Sequence, residues 1–135
     1  MVGIFLVIAI VFGVLVLVFV SRLSRRVSRP LNHTYFETRW TELLARVKTP
    51  EGTILAVIDA DKLLDEALKK RGYKGKTMGE RLVSAQRSLS NNDGVWYAHK
   101  LRNRLVHEPD VRLRKNEAKN ALEGIKQGLR DLGAL

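Results

Sequence analysis

The sequence predicts an all-α protein, a single N-terminal transmembrane helix followed by a soluble bundle of about five helices. Three observations carry this expectation. Met1 to Val20 contains no charged residue, whereas the rest of the chain is an ordinary polar and apolar mixture. Beyond Asn32 the apolar residues recur at helical spacing in successive segments. No segment shows the strict alternation of a half-buried strand. The 135 residues leave room for one domain after the hydrophobic run. The expected boundaries are an anchor over 1–21, a basic juxtamembrane linker over 22–34 and a bundle over 35–135.

Gly3 to Val20 is built from Ile, Leu, Val, Phe, Ala and Gly alone, long enough as a helix to cover a hydrocarbon core of about 30 Å. A cleavable signal peptide fits less well: no basic stretch precedes the run and no small-x-small site follows it. Arg22, Arg25, Arg26 and Arg29 all follow the span. The positive-inside rule therefore places the N-terminus outside and the domain in the cytoplasm. The same arginines form a collar expected to attract anionic lipid headgroups.

The formal charge is +10, and all 14 acidic residues lie after Arg29. Beyond the collar, 20 basic residues against 14 acids leave +6, a surplus compatible with contact to phosphate or an anionic membrane surface. The absence of cysteine excludes disulfides and thiolate metal sites, and no cofactor or metal is implied elsewhere.

Ser28 to His33 reads as a linker in which Pro30 bars continuation of the membrane helix, with His33 a solvated linker residue. The first bundle helix has Phe36, Trp40, Leu43, Leu44 and Val47 at i, i+4, i+7, i+8 and i+11, and Pro50 is expected to end the run. The second, Thr53 to Arg71, carries Ile54, Val57, Ile58, Leu64 and Leu68 on one face and stops at Gly72. Its outer face holds Asp65–Lys69 and Glu66–Lys70 in the favourable order. The third begins at Thr77, where Glu80 completes a capping-box pattern, and runs through Met78, Leu82, Ala85 and Leu89. Asn91-Asn92-Asp93-Gly94 supplies turn and N-cap residues for the fourth. After a loop over 109–115, the last helix shows Ala118, Ala121, Leu122, Ile125, Leu129 and Leu132.

Two local patterns are set aside. Gly75-Lys76-Thr77 resembles the end of a phosphate-binding loop, but Lys70 stands where the required glycine would be and a helix precedes it in place of a strand. Gly72-Tyr73-Lys74-Gly75 matches the short clamp of a KH domain, whose strands are missing. The residues from Lys69 to Lys76 read as a basic loop between helices. Asp59, Asp61, Asp65 and Glu66 could suggest a cation site or a solvated helix face. Asp61 fits the solvated face poorly, because it points to the apolar side of its helix. A buried carboxylate needs a partner, and Arg102 or Arg81 is the expected one.

The fourth helix, around Trp96 to Glu108, carries the chemistry. Ala98, Leu101 and Leu105 define its core side, while Trp96, His99, Asn103 and His107 share a face nearly opposite, with Arg102 at the margin. A tryptophan on that face suggests either a second contact surface, for a second copy or a stacked base, or a central helix buried on both sides. His107 falls in the last turn, where the helix dipole favours its protonated form.

Arg102-Asn103-Arg104-Leu105-Val106-His107 resembles the arginine–polar–three residues–histidine signature of the HEPN family, and the setting late in a small helical domain is similar. The resemblance spans roughly Phe36 to Leu132, with its specificity in the hexapeptide. It implies one of three activities: metal-independent RNA cleavage by a dimer whose motifs meet, RNA or nucleotide binding, or a noncatalytic helical module for protein interaction. In the first, Arg102, Asn103 and His107 are the catalytic residues: His107 for proton transfer, Arg102 for the phosphate, and Asn103 to orient either. His99 lies about 12 Å along the axis from His107, too far to share one phosphate with it, so a homodimer through the Trp96 face would bring in the second imidazole.

Overall fold

The structure, a computed structural model, describes the backbone of residues 1–24 and 30–135 and the side chains of residues 1–21 and 30–135. The side chains of the arginine collar lie outside the described residues. Helix α1 (Val2–Ser24) contains the segment Val2–Ser21, which is long and apolar enough to cross a membrane and is nowhere buried against the rest of the chain. Its 23 residues extend about 34 Å at 1.5 Å per residue.

Five helices follow: α2 (His33–Ala45), α3 (Pro50–Arg71), α4 (Met78–Ala85), α5 (Asn92–His107) and α6 (Lys115–Asp131). A 3-10 turn, Gln86–Ser88, extends α4. No strand occurs among the described residues. Two helix starts differ from the sequence expectation. Pro50 begins α3 and does not end α2, which has already closed at Ala45 with Val47 beyond it: the proline sits in the first turn, where its missing N–H costs nothing, and the Thr49 hydroxyl accepts the N–H of Gly52 at 3.0 Å. His33 is the first residue of α2, not linker. The Asn32 side chain caps that helix by accepting the Tyr35 N–H at 3.1 Å, and His33 pairs with Glu37 at 3.4 Å.

The remaining caps follow the expected chemistry. Gly72 closes α3 at φ 88°, a left-handed conformation costly for other residues. Thr77 accepts the Glu80 N–H at 3.2 Å, but the returning Glu80 carboxylate takes the Lys76 N–H instead of that of the cap residue itself. Asn91 caps α5 by accepting the Gly94 N–H at 3.0 Å.

Phe36, Leu64, Leu68, Leu82, Ile125, Leu129 and Val95 fill one continuous core with no more than 2% of their surface exposed. Such side chains supply the main folding drive, about 1.5–3 kcal/mol each. Helix α5 packs most extensively on α6 and also lies against α3. Glycines allow the α5–α6 approach: a Cβ on Gly124 would stand 2.4 Å from the Gly94 carbonyl oxygen. Helix α3 lies at the centre of the bundle, against α2, α4, α5 and α6, and the polar face of α5 is turned toward it.

Candidate functional site

Asp61, in the middle of α3, is 3% exposed. A carboxylate so placed must be compensated, and α5 supplies both compensating groups. The Nδ1 of His99 lies 3.1 Å and 3.2 Å from the two Asp61 oxygens, and Arg102 Nε stands 3.7 Å from Oδ2. The expected arginine partner is therefore present as Arg102, but at ion-pair distance only. The hydrogen-bonded partner is a histidine. Arg81, the other expected candidate, is taken by Asp65 through two bonds of 2.6 Å and 2.9 Å, and donates a third to the Gly75 carbonyl at 2.6 Å.

The network continues along α5. Arg102 Nη1 donates to Asn103 Oδ1 at 2.9 Å, and Asn103 Nδ2 faces His99 Nε2 at 3.5 Å. Donor and acceptor roles follow from the chemistry of each member. A carboxylate only accepts, so His99 carries its proton on Nδ1. Arginine only donates, so the Asn103 oxygen faces it and the amide nitrogen faces His99. The amide then donates to an unprotonated Nε2. The opposite amide orientation would set NH2 against the guanidinium, so the assignment rests on the whole network. A buried carboxylate on Nδ1 fixes the orientation of the His99 ring.

Asp61, Thr77, Gly79, His99, Arg102 and Asn103 line a cleft of about 410 Å3 between α3, α4 and α5. Trp96 packs edge-on against His99 at 6.0 Å between ring centroids, and against the start of α4 near Gly79. Trp96, His99 and Asn103 are thus partly buried within the chain. This favours burial of that face within the chain over a wholly free second face. His107 alone of that set is exposed, and among the described residues it makes no hydrogen bond or ion pair.

Of the three residues expected to carry catalysis, Arg102 and Asn103 come together in the cleft and His107 does not. Five residues of helix separate Arg102 from His107, which is about 140° around the axis and about 7.5 Å along it. One chain therefore does not focus the motif on a single phosphate. The neighbouring Arg104 turns away to Glu117 at 2.7 Å, joining α5 to α6.

Each carboxylate of the acidic stretch in α3 has its own partner. Asp59 meets Arg46, Asp65 meets Arg81 and Lys69, and Glu66 meets Lys70 and the Tyr35 hydroxyl. Among the described residues no group of three or more metal-ligating side chains converges. Burial alone would push Asp65 up, but the bonds from Arg81 and Lys69 outweigh it and hold its pKa below the ordinary value.

The sequence reading left His99 and Asp61 out of the site. The signal was available in part, since Asp61 on an apolar face required a partner. The register between α3 and α5 that selects His99 is a tertiary fact. Compared with protein-family models, curated proteins and solved structures, the chain finds no match.

Proposed function

We propose that this chain is a membrane-tethered, HEPN-like helical domain that engages RNA through α5 and cleaves it without metal when two copies meet. In this reading α1 crosses the membrane with its N-terminus outside, and the bundle works at the cytoplasmic face. The observation that carries it is the division of the motif. Arg102 and Asn103 line a cleft, while His107 stands exposed and unbonded outside it. Arg102 binds the phosphate, and Asn103, already bonded to it, sets the fork for bidentate contact. His107 of a second copy would supply the proton transfer that one chain cannot aim at the same phosphate.

A second reading is favoured by a specific observation, the tie of Arg102 to Asp61 and Asn103 within its own chain. On that basis the motif is an interhelical brace, and the domain is a noncatalytic interaction module at the membrane. Binding of a labelled single-stranded RNA to the full chain in lipid nanodiscs separates the two. The RNA reading expects binding that weakens with salt and is lost with Arg102→Ala. The module reading expects no binding by the parent protein.

A further inference from the structure

A groove of about 700 Å3 lies away from α5's polar face, between the end of α2, the start of α3 and the first half of α6. This volume is in the range of about 300–1,000 Å3 usual for small-ligand sites. Its floor is apolar, built from Trp40, Leu44, Val47 and Leu122, and Leu44 and Val47 keep about 40% of their surface open (41% and 38%). Its rim is cationic: Lys48, Arg114, Lys115, Lys119 and Lys126 stand against one carboxylate, Glu123. Lys115 also opens α6, so the positive end of the helix dipole adds to the field. The nearby Glu117 does not offset these cations, because it is engaged by Arg104 and the Arg114 N–H.

Trp40 is 6% exposed, so Leu44 and Val47 offer most of the open apolar surface of the floor. An apolar floor beneath a cationic rim fits a ligand with a hydrocarbon tail and an anionic head.

We infer that this groove holds one acyl chain of an anionic phospholipid, with the headgroup between the lysines of the rim. The inference rests on α1 lying in a bilayer and is independent of any RNA chemistry. Eight residues separate Ser24 from His33, a reach of at most about 30 Å. The bundle is thus tethered within tens of ångströms of the bilayer, which raises the effective concentration of lipid at the groove, and anionic headgroups attract lysine and arginine. An acidic amphipathic helix of a protein partner would meet the same cations, but has no comparable tether to the groove.

The test uses the full chain in phosphatidylcholine–phosphatidylglycerol vesicles. Trp96→Phe leaves Trp40 as the sole tryptophan, and bromine on an acyl chain quenches indole emission on contact. With the bromine on phosphatidylglycerol, Trp40 loses most of its emission. With the bromine on phosphatidylcholine at the same mole fraction it loses little, and K115E combined with K119E abolishes the difference. Equal quenching by both lipids would reduce the groove to bulk bilayer contact. No quenching by either would leave it to an acidic protein segment, and both results overturn the inference. Should Trp96→Phe fail to fold, native mass spectrometry of the parent chain gives the same decision. Retained phosphatidylglycerol, lost with the lysine reversals, supports the site. Release of all lipid, or no preference between the two, overturns it.

Discussion

His99 Nδ1 lies 3.1 Å from Asp61 Oδ1, joining two residues 38 positions apart across the α3–α5 contact. With side chains 13% and 4% exposed, neither has water to fall back on. His99→Ala is expected to strand the Asp61 carboxylate beside Arg102 and to destabilise the bundle by about 1–3 kcal/mol. Urea unfolding of the reconstituted chain measures this, and nitrogen shifts of the His99 ring should report a proton on Nδ1. A ring protonated on Nε2 alone would contradict the network.

The bond between Arg81 and Asp65 makes a sharper contrast. Arg81 is 8% exposed, whereas Lys69, on the same carboxylate, is 59% exposed. Asp65→Ala should therefore cost roughly 3 kcal/mol by leaving a buried guanidinium unpaired. Lys69→Ala should stay within about 1 kcal/mol. Equal losses from the two substitutions would mean that burial does not set the value of this pair.

Acid sensitivity follows from the same carboxylates. Asp65 and Asp131 are pushed up by burial and held down more strongly by their hydrogen bonds, from Arg81 and Lys69 and from Ser90 and Gln127 respectively. Glu117 is held down by Arg104 and the Arg114 N–H. A depressed folded pKa gives stability that is fully present above the unfolded value and lost as pH falls through the folded one. The unfolded values here are near 3.8 and 4.5, so this contribution disappears on acidification below them. Thermal melts across that range should show the loss, and Asp65→Asn should flatten it. An unaltered acid limb in that variant would remove Asp65 from the explanation.

At the α5–α6 crossing, a Cβ on Gly124 would meet the Gly94 backbone, while one on Gly128 would meet the Val95 and Leu64 side chains at 3.1 Å and 3.3 Å. Backbone cannot step aside as a side chain can. Gly124→Ala should destabilise by about 1–3 kcal/mol despite the better helix propensity of alanine, and Gly128→Ala by less. Denaturation midpoints compare the two, and a neutral Gly124→Ala would show that the helices separate at no cost.

Much of the fold was legible because each helix announces itself locally. The spacing of Phe36, Trp40 and Leu43, the cap at Thr77 and the stop at Gly72 are properties of neighbours in the chain. Pro50 reads as a stop because proline signals stops and starts alike, and His33 reads as linker because it follows Pro30 closely; in each case the cap that sets the helix start, Thr49 or Asn32, is one residue earlier. The polar site was half legible. The pattern on α3 required a partner for Asp61, but which residue of α5 answers it depends on how closely Gly94 lets α6 approach and on the resulting register. That depth is set by packing between helices, which no periodicity within either one records.

The proposal for α5 is tested most directly by incubating RNA with the full chain in nanodiscs, in the presence of a metal chelator, beside the His107→Ala variant. The account predicts cleavage by the parent protein and a loss of about a hundredfold or more in the variant, the scale of a removed acid–base group. Cleavage that survives the substitution, or intact RNA with the parent protein, would contradict it.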